Sequence, residues 1–101
     1  VSSSFANSEF DWDQGNTAKC QKHGPSIPEI EAFFAGNPLV VEDYRHSIDE
    51  KRLIAVGMSR AGGMMFVGFT IRLRDGRQLI RPVTARYMGE KEFLRYVGRT
   101  S

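Results

Sequence analysis

Hydrophobic alternation is strongest between Met64 and Arg86. Met65, Val67, Phe69 and Ile71 make one wholly apolar face, while Met64, Phe66, Gly68, Thr70 and Arg72 share the other. A period of two predicts a strand with one side on a core. A second strand-like run, Leu79–Ala85, follows after Arg74-Asp75-Gly76-Arg77. Asp-Gly readily supplies the positive φ angles of a tight turn, so the stretch reads as a β-hairpin. In the second strand Leu79, Arg81, Val83 and Ala85 alternate with Ile80, Pro82, Thr84 and Arg86. Pro82 has no N–H and requires an edge or a bulge. Arg81 and Arg86 are an odd number of residues apart and cannot share one flat face unless Pro82 marks that bulge. Register decides which of them joins Thr70 and Arg72, since a one-residue slip exchanges the faces.

The flanking pattern is mixed. Glu9–Trp12 alternates like a short strand. Asp13 then stands as an N-cap before a helix over Gln14–Lys22, closed by His23 and Gly24. Ser26–Phe34 predicts a second helix, with Ile30, Phe33 and Phe34 on one face. Leu39–Asp43 and Arg52–Ser59 read as strands joined by the polar segment Tyr44–Lys51; Arg52, Ile54, Val56 and Met58 face one way. Gly89–Val97 predicts a closing helix stopped by Gly98. The expected class is α+β: a twisted antiparallel sheet with two N-terminal helices and a C-terminal helix packed on it. Residues 1–8 read as a flexible leader without signal-peptide character, and residues 9–101 as one domain.

Charge adds an asymmetry to this picture. Residues 1–44 carry a net −5 and residues 45–101 a net +7. Such a basic half suits a polyanion partner, or else it cancels internally against the acidic half. The single cysteine, Cys20, cannot form an internal disulfide, which fits a reducing cytoplasm. One cysteine and two histidines leave too few ligands for a zinc site, so no metal and no cofactor is expected. No apolar run approaches the ~20 residues of a membrane helix.

Five arginines (Arg72, Arg74, Arg77, Arg81 and Arg86) lie in or beside the hairpin. Metal-free RNA cleavage needs a base for the 2′-OH, fixed positive charge for the phosphorane, and an acid for the leaving oxygen. Guanidinium groups fit the second task, because they donate paired hydrogen bonds to phosphate. Thr70 and Thr84 can position or donate. His23 and His46 are candidate acids or bases, with His23 the first choice, although it also suits a helix end. Glu50 and Arg52 could pair at a strand start. Lys22 and Arg60 join them as RNA-binding or supporting residues. Trp12 is read as core before base-stacking platform, and Cys20 as inert.

Taken together, these segments resemble the BrnT family of bacterial type II toxins. Phe10-Asp11-Trp12-Asp13, Asn16 and Lys22-His23-Gly24 are similar to its opening. Asn37-Pro38 matches the turn after its second helix, and His46-Ser47 through Glu50, Arg52 and Ile54-Ala55-Val56-Gly57 its central strand. Phe69-Thr70-Ile71-Arg72 and Ile80–Arg86 are similar to its hairpin, and Glu92 and Tyr96 fall on its closing helix. The resemblance implies a RelE-like fold and a cytoplasmic endoribonuclease that blocks translation. It also implies neutralisation by a BrnA-like ribbon-helix-helix antitoxin, in a heterotetramer that reaches DNA only through the antitoxin. By matching position it marks Thr70, Arg72, Arg81, Thr84 and Arg86, then His23, Glu50 and Arg52. Gln14-Gly15, Pro82 and Thr84 depart from the family pattern. The alternative is a non-catalytic or degenerate antitoxin-binding protein acting in operon autoregulation.

Overall fold

The hairpin forms where the alternation places it. In the computed structural model, residue 5, residues 8–60 and residues 62–100 are described. Strand β4 (Met64–Arg74) and strand β5 (Arg77–Met88) are joined by Asp75 and Gly76, at φ 54° and 77°. Two positive φ angles are what this tight turn requires. Strands β2 (Leu39–Glu42) and β3 (Leu53–Met58) extend the sheet antiparallel from β4. Strand β1 (Glu9–Phe10) lies on the other edge, so the order is β1-β5-β4-β3-β2.

β1 runs parallel to β5, which makes the sheet mixed; the four strands in hairpin succession are antiparallel, as the pattern predicts. No short turn dictates the direction of β1. Instead Phe10 packs against the core and the Asp11 N–H donates to the Ile80 carbonyl at 2.8 Å.

Pro82 does mark a bulge. Gly68 pairs with Thr84 but Phe69 pairs with Pro82, so Val83 has no partner across the ladder. One extra residue reverses the alternation beyond it. Arg81 therefore faces Thr70, Thr84 faces Gly68, and Arg86 faces Phe66, all on one side of the sheet. The Pro82 carbonyl accepts from the Asn16 side chain at 2.8 Å, which satisfies the strand's outer edge.

Helix α1 (Gln14–Gln21) starts at Asp13, whose side chain accepts from the Asn16 N–H while the Asn16 side chain accepts from the Asp13 N–H. Helix α2 (Ile27–Ala35) is capped by Ser26. Its buried Ile30, Phe33 and Phe34 meet Met65, Val67, Phe69 and Ile80 on one sheet face. Of the expected leader, Phe5 and Ser8 are described. Phe5 packs edge-on against Phe34 and Phe69, and the remainder lies outside the described residues. Trp12 stacks near Phe10 and donates to Glu31 at 3.0 Å, a packing role. Helix α3 (Glu90–Thr100) runs past Gly98 rather than stopping there. A glycine near a helix end costs only about 1 kcal/mol, which an otherwise amphipathic helix tolerates.

Cys20 is fully buried in this core, and burial pushes its thiol up to about 11. At pH 8 its thiolate fraction is then about 10⁻³, so the folded chain should not react with an aromatic disulfide reagent. Full absorbance release should require denaturant; rapid release from the native chain would contradict the buried position.

Candidate active site

The face of the sheet opposite the main core carries a regular lattice of polar and apolar side chains. Arg52, one residue before β3, is in line with Thr70, and Thr70 with Arg81. The next row is Ile54, Gly68 and Thr84, and the next Val56, Phe66 and Arg86. Helix α3 stands over the last row, with Tyr96 against Phe66 at 6.0 Å between ring centroids.

The connection from Asp43 to Arg52 is folded back on itself. The Asp43 N–H donates to the Arg52 carbonyl at 2.8 Å, and the Arg52 N–H donates to Ser47 Oγ at 2.9 Å. Ser47 Oγ in turn donates to the Asp43 carbonyl at 2.6 Å. This clasp brings His46, on the 3-10 turn Tyr44–His46, to the mouth of the groove above Arg52. His46 Nδ1 lies 2.9 Å from Asp43 Oδ2. A carboxylate there favours the Nδ1–H tautomer and leaves Nε2 free to exchange a proton.

Three adjoining hollows share His46. One of about 340 Å³ is lined by Lys19, His46, Arg52, Gly68, Thr84 and Arg86. A second of about 340 Å³ lies beside Thr70, Val83, Ile48 and Glu50. The third, about 1030 Å³, opens between the 3-10 turn and α3. Arg52 borders the first two.

Every hairpin arginine is already held by carboxylates. Arg72 pairs with Glu50 at 2.9 Å, Arg74 with Asp11 at 3.6 Å, and Arg77 with Glu9 at 3.0 Å. Arg81 pairs with Asp13 at 2.8 Å and Asp11 at 3.4 Å. Arg86 donates both its terminal nitrogens to Glu92, at 2.9 and 2.6 Å, and lies 4.3 Å above the Phe66 ring. That hydrogen bonding holds the Glu92 carboxyl below its usual range and the Arg86 guanidinium above its own. Asp13 is likewise lowered, first by the Asn16 N–H and then by Arg81. The acidic amino-terminal segment thus neutralises Arg74, Arg77 and Arg81.

Arg52 is different. It makes no ion pair among the described residues, and its Nε is buried without a hydrogen-bond partner. The Thr70 hydroxyl beside it is likewise buried and unpartnered. Each such group costs about 1–3 kcal/mol unless something binds it. The guanidinium fits because Gly68 lies beneath it. A Cβ at Gly68 would stand 3.6 Å from Arg52 Nε and 3.0 Å from Thr84 Cγ2. Gly68→Ala should therefore destabilise the fold through overpacking, by about 1–3 kcal/mol, and lower the melting temperature, despite alanine's better fit to a strand. A thermal melt checks this, and an unchanged melting temperature would show that Thr84 yields freely.

A family model for the ribonuclease toxin BrnT of type II toxin-antitoxin systems matches residues 12–92. The chain belongs to the BrnT family. A comparison with curated proteins gives no match. As a BrnT chain it is a ribonuclease toxin by family, with RNA as its substrate class and an antitoxin as its partner class. The matched span contains Lys19, His46, Arg52, Thr70, Thr84, Arg86 and Glu92.

Of the sequence-marked residues, Thr70, Thr84, Arg52 and Arg86 come together in the BrnT cleft, and Glu50 borders it. Arg72 stands at its outer end, occupied by Glu50, and Arg81 turns away to Asp13. His23 and Lys22 lie in the exposed turn after α1, and Arg60 in the turn after β3; none of them lines the cleft. Lys19, Ser47 and Gly68 are additions. Ser47 stood in the family-like His46-Ser47 motif without a role assigned to it, and neither Lys19 nor Gly68 carried a sequence signal of its own.

Proposed function

We propose that this chain is an endoribonuclease that cuts RNA without a metal, using the cleft around Arg52. The observation that carries this reading is the uncommitted Arg52 guanidinium, partly buried among Lys19, Thr84 and Arg86 and overlooked by His46. Arg52 and Lys19 bind the scissile phosphate. Arg86 joins them when phosphate oxygens take the place of the Glu92 carboxylate. His46 Nε2 takes the proton of the ribose 2′-OH; O2′ then forms a bond to phosphorus. The bond from phosphorus to the 5′-oxygen breaks, and that oxygen takes a proton from water as it departs, leaving a 2′,3′-cyclic phosphate. The donated hydrogen bonds stabilise the charge that builds on the phosphorane. Among the described residues there is no group of three metal-ligating side chains that could hold an ion.

Translation stops through loss of RNA. The partner is a BrnA-like ribbon-helix-helix antitoxin, assembled as a heterotetramer in the cytoplasm, a reading that rests on the family. Incubation of a long RNA with the purified chain in EDTA tests the reaction. Fragments ending in 2′,3′-cyclic phosphate are expected, and intact RNA at micromolar protein would refute it. Growth arrest on expression without antitoxin separates the nuclease from a chain that only binds its partner.

A further inference from the structure

We infer that the hollow between Thr70 and Val83 is a nucleobase subsite that accepts guanine. The inference rests on the ribonuclease reading for its purpose, since RNA is what would bring a base there.

The bulge makes this subsite. Val83, the extra residue between Pro82 and Thr84, borders one hollow and Thr84 the other, with the Arg52 side chain bordering both. A phosphate on the Arg52, Lys19 and Thr84 side therefore leaves its neighbouring nucleoside next to the Val83 side. That hollow, about 340 Å³, falls in the size range of small-ligand sites. Its apolar walls are Ile48, which is 89% exposed, and Val83. An isoleucine so exposed has no packing role in the fold, but it can cover the face of a base.

The polar groups around the walls are selective. Thr70 is only 5% exposed and its hydroxyl has no partner. Both Glu50 oxygens are held by Arg72, at 2.9 and 3.2 Å, so the carboxylate is fixed in direction with lone pairs to spare. Arg45 and Arg52 add donors. A fixed carboxylate matches two adjacent N–H donors, which guanine alone presents, at N1 and N2. Arginine donors match its O6 and N7 acceptors. Uracil offers one N–H between two carbonyls, and adenine and cytosine offer a single amino group beside ring acceptors. Arg72 is then a positioning residue, acting through Glu50.

The test is binding of each of the four nucleoside 5′-monophosphates to the full chain, by calorimetry and by methyl NMR of Ile48 and Val83. The shared phosphate cancels in the comparison. Guanosine monophosphate should bind about tenfold or more tighter than the other three and shift both methyl signals. Glu50→Gln should erase the preference. Thr70→Val, which keeps the Glu50–Arg72 pair, should weaken guanosine monophosphate several-fold at a melting temperature that stays level or rises. Equal affinities, no binding by any of the four, shifts confined to other residues, or a preference that survives Glu50→Gln would each overturn the subsite. RNA cleavage is scored separately. Uncut RNA with the guanine preference intact removes the nuclease and keeps the subsite; RNA cut without guanine binding does the reverse.

Discussion

Replacing Arg52 with methionine should slow RNA cleavage by about 10²–10³-fold, the usual cost of deleting one donor to a charge-bearing transition state. The fold should survive unharmed. Methionine keeps most of the apolar stem that packs in the groove, and the change removes a buried Nε that has no partner. Melting temperature should therefore stay level or rise. Charge alone does not explain such an effect, because other arginines remain nearby. What distinguishes Arg52 from the hairpin arginines is that no carboxylate holds it among the described residues, so phosphate need not displace one. Arg86 must first give up Glu92, and Arg86→Ala should cost less, about tenfold. Arg77 is spent on exposed Glu9 at the hairpin tip, an exposed pair worth about 0–1 kcal/mol, and Arg77→Ala should change the rate less than about twofold. Rates measured on one labelled RNA at fixed salt rank the three. An Arg52→Met chain that cuts at the wild-type rate, with Arg77→Ala impaired, would move the site to the hairpin tip.

The distinction between these arginines was not legible in the chain. Alternation assigns a side chain to a face, and on that count Arg72, Arg81 and Arg86 were equal candidates. Partners come from elsewhere: Asp11 and Asp13 from the segment after β1, Glu50 from the clasp, Glu92 from α3. Pairings across 6 to 70 residues, between separate elements, leave no periodic trace. The hairpin itself was legible because its signals are local, a period of two and Asp75-Gly76. The bulge was half legible: Pro82 demanded an irregularity, but only the paired register shows that it turns Arg81 and Arg86 onto one face. The parallel direction of β1 was hidden for a further reason. It is two residues long and is fixed by the packing of Phe10.

The two histidines show the same limit, and they give the sharper test. His23 looked suited to catalysis because it stands beside Lys22 in a family-like motif, yet that motif is the exit of α1. His46 was the other histidine candidate, in the polar connection before β3, and ranked behind His23. The clasp through Ser47 sets it over Arg52 and gives it Asp43 as an orienting carboxylate at 2.9 Å. His46→Ala should therefore lower cleavage by about 10²–10⁴-fold, the range for a lost general base. Asp43→Asn should cost less, about tenfold, because the imidazole stays present but loses its preferred tautomer. His23→Ala should cut at the wild-type rate. Since the side chain of His46 is 59% exposed, its removal leaves an open space that a free imidazole can enter. Added imidazole should restore part of the rate to His46→Ala and none to Arg52→Met, because it replaces a proton carrier and not a phosphate ligand. Restoration of neither, with His23→Ala inactive, would assign the proton transfer to the α1 exit instead. Restoration of the histidine variant alone identifies His46 as the proton-transfer group, which a merely structural histidine at the groove mouth would not reproduce.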